Sequence, residues 1–215
     1  MDAVDVEPAG HDGPQRRAGY PRSAGSRRGE ARRRELLDRV TDDLAVNGLV
    51  DFSLRRAARA AGTTHKVLLY YFDGADDLLG QAVFRLRERR VTKGMAAASQ
   101  EAEGQTLGTR VRAVWPILIG EDESQVLDQA IGLTLYDPGR YAELSREASR
   151  QYLPGLMSLC PQDWPDRRKL EVAEMIMAAL RGFVVDWRTS GDSAGISAGL
   201  EALVRALDRE EAACE

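Results

Sequence analysis

The sequence has two cysteines, Cys160 and Cys214, and two histidines in 215 residues, and aromatic side chains make up only 6% of it. Two cysteines so far apart build no disulfide framework and have no metal-ligand spacing. The chain also lacks a glycine-rich phosphate loop, an HExxH pair and a paired-carboxylate pattern, which leaves little to run catalysis with. Neither enzymatic activity, nor a cofactor, nor a bound metal is therefore expected. Long apolar runs are missing too. The longest stretch without a charge, Gln151 to Gln162, is 12 residues with two prolines inside, against the roughly 20 apolar residues that a membrane-crossing helix requires. The first 35 residues contain no apolar block of the secretory kind. The expectation is a soluble, reduced, cytoplasmic protein with no membrane contact.

What is present is charge, and it is segregated. The formal net charge is −4, yet residues 16–93 hold 18 Lys/Arg against 10 Asp/Glu, whereas residues 94–215 hold 12 against 20. A basic first half joined to an acidic second half suits an anion such as nucleic acid at one end and a different task at the other. Residues 1–30 combine five Gly and three Pro with scattered apolar side chains, too few to offset the entropy of ordering, and read as a disordered tail with a basic end. Its arginines (Arg16, Arg17, Arg22, Arg27, Arg28, continuing into Arg32–Arg34) suit a DNA backbone or minor groove, or a solubilising leader with no further role.

From Arg32 onward the pattern is helical. Leu36, Leu37, Val40 and Leu44 recur at spacings that put them on one helix face, and Asn47-Gly48 stops the run. Ser53 stands as an N-cap before Leu54, Ala57, Ala58 and Ala61; Gly62 stops that helix; Thr64 caps a third, His65 to Tyr71. Asp73-Gly74 is a turn, and Asp76 and Asp77 open a fourth helix where the macrodipole favours acids. Two short helices joined by a glycine-containing turn, behind a longer packing helix, describe a helix-turn-helix, with small alanines where its helices cross. The second helix of such a motif lies in the major groove.

These residues carry a family resemblance. Gly48, Phe52-Ser53-Leu54-Arg55, Ala61-Gly62-Thr63-Thr64, Leu68-Leu69-Tyr70-Tyr71-Phe72 and Leu78-Leu79 resemble the helix-turn-helix signature of the TetR family of one-component transcriptional regulators, from Arg32 to Arg87. Two positions depart from that pattern. Leu69 replaces the first residue of the usual tyrosine pair, and Ala75 stands where a Lys or Arg usually opens the fourth helix, among Asp73, Asp76 and Asp77. Both departures weaken anchoring to phosphates.

The resemblance implies an all-α fold: an N-terminal three-helix DNA-binding domain over residues 31–75 and a helical effector-binding and dimerisation domain over 76–215, with 76–93 as connecting helix. Arg55 would grip guanine. Thr64 would present its hydroxyl and N–H to a phosphate, and His65 and Lys66 would reach the groove from the exposed first turn. Val67 would pack on a thymine methyl or into the core. Of Tyr70 and Tyr71 one would meet phosphate, with Tyr70 the choice, and the other would pack inward. Leu68 and Phe72 read as core.

The second half predicts helices near 106–119, 123–135, 139–160, 166–189 and 195–210, with kinks or broken turns at Trp115-Pro116 and Leu153-Pro154-Gly155. Trp115, Tyr152 and Met177 are the candidate pocket residues, since pockets are mainly apolar and methionine adapts to varied ligands; the same side chains at helical spacing also suit plain core. The last two helices are apolar enough to need a partner. The family resemblance implies a homodimer whose recognition helices sit about 34–36 Å apart on a pseudo-palindromic operator, repressing until a small ligand releases it. A different class stays open: a helical dimer with a degenerate DNA-binding half that only holds a ligand or partner.

Overall fold

The computed structural model describes residues 26–100 and 105–213. Residues 1–25, most of the expected tail, lie outside the described residues. Nine helices run through the described part: α1 (Arg27–Asn47), α2 (Leu54–Ala60), α3 (His65–Tyr71), α4 (Ala75–Gln100), α5 (Leu107–Ile119), α6 (Glu121–Tyr136), α7 (Pro138–Leu159), α8 (Asp166–Ser190) and α9 (Ser193–Ala212). There is no strand among the described residues, and no helix there is long and apolar enough to cross a membrane.

The helix ends follow side-chain chemistry. Helix α1 begins at Arg27, inside the segment 1–30 that the sequence assigns to a tail. The Ser26 hydroxyl accepts the Gly29 N–H at 3.1 Å, and Glu30 sits in the first turn, where a carboxylate favours the positive helix end. Ser53 and Thr64 cap α2 and α3 in the same way, each through a side-chain oxygen. Helix α2 ends in a Schellman arrangement: Thr63 N–H reaches Ala58 O at 2.9 Å and Gly62 N–H reaches Arg59 O at 3.1 Å, with Gly62 at φ 62°. That positive φ suits glycine, which has no Cβ to clash.

Helix α4 is longer than the expected 76–93 and runs to Gln100. Neither internal proline breaks its helix: α5 continues past Pro116 to Ile119, and α7 past Pro154 to Leu159. The missing proline N–H costs one intrahelical bond, which packing on both sides of each helix offsets.

Two apolar clusters hold the chain together. The first joins α1, α2, α3 and the start of α4 to α6 and to Leu144 of α7; Leu36, Val40, Leu44, Ala57, Ala61 and Leu68 are fully shielded there. The second joins the later turns of α4 to α5, α7, α8 and α9 around Val111, Ile176 and Leu207. Helix α5 lies so close to α9 that a Cβ on Gly108 would stand 2.5 Å from the Val204 carbonyl oxygen. The first-turn N–H groups of α5, which have no partner within the helix, are met by α9 side chains, Leu107 N–H by Glu211 at 2.6 Å and Gly108 N–H by Asp208 at 3.1 Å.

Candidate nucleic-acid interface and internal cavity

The α2–turn–α3 unit has one face inward and one outward. Ala57, Ala58, Ala61 and Leu68 are buried, so the two helices cross closely over α1. Arg55, Thr64, His65, Lys66 and Tyr70 are exposed. Val67 and Tyr71 are half-buried and pack against the first cluster, which places the inward member of the tyrosine pair at Tyr71. The two rings meet edge to face, their centroids 4.9 Å apart. Leu69 is 50% exposed beside Tyr70, an apolar side chain on the outer face of a seven-residue helix.

The basic residues divide into two sets. Arg33, Arg39 and Arg56 are structural tethers. Arg33 Nε donates to Tyr71 O at 3.3 Å, Nη2 donates to Gln81 Oε1 at 2.5 Å, and its guanidinium stacks 5.0 Å from the Phe72 ring centroid. Arg39 donates to Ala61 O at 3.0 Å, and Arg56 donates to Asp43 and Val50 O, each at 2.8 Å. So Arg33, read from sequence as part of a basic arm, instead fastens α1 to the end of α3. Arg34, Arg55, Arg59 and Lys66 are exposed and make no ion pair among the described residues. They are the cations this face can offer to phosphate. The acids near α4 are occupied: Asp76 holds Arg140 at 2.7 Å, keeping that guanidinium more strongly protonated than usual, and Asp77 accepts the Asp73 N–H at 2.9 Å.

The second half contains a cavity of about 380 Å³ walled by α4 to α8. Tyr152 and Met177 line it. Trp115 does not: it is buried in the second cluster, with its ring edge-on to Phe183 at 6.2 Å between centroids. The apolar face of α5 is wide enough that Val114 reaches the cavity while its neighbour turns into solid core. The three basic lining residues escaped the sequence reading. Arg87 and Arg90 of α4 are 4% and 8% exposed, and Arg181 of α8 joins them. A signal for the first two was available, since both fall on the spacing of Val83, Leu86 and Gly94, inside the apolar stripe instead of the solvent face.

Helix α6 belongs to both regions. Its Leu127, Asp128 and Ile131 line the cavity, while Val126, Leu127 and Ala130 sit in the first cluster under α1 and α4. Gln129 Oε1 accepts the Leu49 N–H at 2.7 Å, just past the end of α1. Gly48, at φ 69°, lets that side chain approach; a Cβ there would stand 2.8 Å from Gln129 Oε1.

This architecture is that of solved bacterial regulators. A candidate transcriptional regulator from Streptomyces coelicolor A3(2) superposes with a TM-score of 0.63 at 23% identity, over 82% of this chain and 98% of that one. The chain shares their fold. A candidate TetR-family regulator from Rhodococcus sp. gives a TM-score of 0.60 at 16% identity, over 83% and 97% of the two chains. The multidrug-binding protein EbrR, solved with proflavin, gives 0.58 at 19% identity, over 81% and 98%. No protein-family model and no curated protein matches the sequence.

Proposed function

We propose that the protein is a homodimeric, sequence-specific DNA-binding regulator of the TetR type, a repressor released from a pseudo-palindromic operator when a small molecule fills the α4–α8 cavity. The observation that carries this reading is the double membership of α6, which walls the cavity and also packs beneath the helix-turn-helix. In this account α3 enters the major groove. Thr64 and Tyr70 hold phosphates, His65 and Lys66 reach base edges, and Arg55 adds a forked donor from α2. Val67 and Tyr71 support that surface from beneath. Tyr152 and Met177 contact the ligand; Trp115 braces the wall behind them.

The dimer would form through α8 and α9. Met175, Ala178, Gly182 and Val185 make an exposed stripe of small and apolar side chains at helical spacing along α8, the kind of surface that buries itself against a second copy. A ligand that displaces α6 shifts Gln129 and the end of α1 with it, changing the separation of the two recognition helices. By linkage, such a ligand binds free protein more tightly than DNA-bound protein, by the factor with which it weakens DNA binding.

The test is fluorescence anisotropy of the full chain on DNA from its own upstream region beside a shuffled duplex, at two salt concentrations. Selective, salt-sensitive binding is expected. Equal binding to both duplexes would reduce the protein to a charge-driven binder. Binding to neither, nor to any duplex from a random-sequence selection, would favour the degenerate DNA-binding half, to which the exposed Leu69 points.

A further inference from the structure

The cavity combines apolar walls with an excess of positive charge, two of its three guanidinium groups buried and the third half-buried. Val91, Met95, Val114, Leu118, Ile131 and Leu156 give it a hydrocarbon lining. Against this stand three guanidinium groups. Arg87 has no hydrogen bond or ion pair among the described residues although it is 4% exposed. Arg90 donates through Nη2 to Leu118 O at 2.6 Å, but its Nε is buried without a partner. Arg181 lies over the Tyr152 ring at 6.0 Å from the centroid. Burial, together with the neighbouring Arg181 and Arg90 charges, holds the Arg87 guanidinium below its ordinary pKa.

No carboxylate among the described residues pairs directly with Arg87, although the Glu147 charge offsets part of the cost of its burial. Asp128, the acid in the lining, already accepts from Arg188 Nε at 2.9 Å. Glu147, on the far side of Arg87, accepts from Arg150 at 2.5 Å. A buried, unpaired cation is costly, and a chain that keeps one against an apolar cavity has a use for it. Most of the desolvation of Arg87 and Arg90 occurs on folding, before any ligand arrives, so an incoming anion meets donors that have already given up most of their hydration. A planar fork of this kind suits a carboxylate.

We propose that the occupant of this cavity is an amphipathic anion, with a carboxylate head held among Arg87, Arg90 and Arg181 and a hydrocarbon body along the apolar wall. This deepens the regulator reading and rests on it only in calling the occupant an effector. The test is isothermal titration calorimetry of the full chain with three chains of equal length: decanoate, decanol and decylamine, each below its micelle-forming concentration. Decanoate is expected to bind about tenfold or more tighter than decanol, with decylamine weakest. Arg87→Met is expected to bring decanoate and decanol to within about threefold, the size of effect that one lost charge-assisted contact supports. Arg181→Met, on the cavity's opposite wall, is the second variant should the first fail to fold. Decanol or decylamine binding as tightly as decanoate, no binding by any of the three, or an unchanged preference in the folded variants would each overturn the proposal. DNA binding is read separately. Selective operator binding with no preference for decanoate sinks this inference alone. A preference for decanoate with no selective DNA binding keeps the anion site and sinks the regulator reading.

Discussion

The two apolar clusters treat arginine in opposite ways. Around the first, Arg33, Arg39 and Arg56 spend their donors on backbone carbonyls and on side-chain acceptors of neighbouring helices. Beside the second, Arg87 and Arg90 are pulled inside and left short of partners around a cavity of about 380 Å³. The first region is closed: its tethering arginines Arg33, Arg39 and Arg56 all have acceptors, and its geometry is set by folding. The second is unfinished, and something that is not part of the chain completes it. That contrast fits the proposed division into a rigid DNA-reading head and an adjustable sensor.

Substitutions can break or sharpen this comparison. The largest effect is expected in the closed region. Leu68→Ala removes a fully buried side chain that seats α3 and should cost about 2–5 kcal/mol of stability, measured by urea unfolding; a loss under about 1 kcal/mol would mean the cluster is loosely packed. Next is Arg56→Met. It removes the donor to Asp43, a pair whose side chains are 14% and 18% exposed, and leaves that carboxylate with only Asn47. About 2 kcal/mol should be lost, seen in the same unfolding curves. Gly48→Ala forces a side chain into a positive-φ position and against Gln129. It should cost about 1 kcal/mol and speed hydrogen exchange at the Leu49 amide; unchanged exchange there would remove Gln129 from the link between the halves. The smallest effect belongs to the open region: Arg87→Met should leave the thermal midpoint unchanged or raise it, because replacing a buried unpaired charge by an apolar side chain of similar length is neutral or stabilising. A drop of several degrees would mean Arg87 is a structural member like Arg56.

The same contrast explains what the sequence revealed. The helix-turn-helix was legible because each of its boundaries has a local cause: Ser53 and Thr64 as caps, Gly62 at a positive φ, alanines at the crossing. The start of α1 was missed because its cap, Ser26, stands among glycines and arginines that look like tail, and the end of α4 because residues 94–100 carry little apolar bulk beyond Met95. In the second half helical period alone cannot separate a cavity wall from solid core, since both are apolar. Hence Tyr152 and Met177 line the cavity while Trp115 packs against Phe183. Arg87 and Arg90 were passed over, although both fall within the stripe of Val83 and Leu86. Tethering arginines such as Arg33 are invisible in one dimension, because their partners lie 38 and 48 residues away.

The most direct test of the account is the salt dependence of operator affinity for the wild-type chain, Lys66→Ala and Tyr70→Ala, each confirmed as folded with unchanged oligomeric state. With α3 in the groove, both variants should lose affinity, by about 1 kcal/mol or more each. The slope of log affinity against log salt should also flatten, by up to about one, for Lys66→Ala, which removes a cation from the DNA, and stay as in wild type for Tyr70→Ala, which removes a neutral contact. Wild-type affinity and slope in both variants would contradict it and move the DNA-reading surface away from α3.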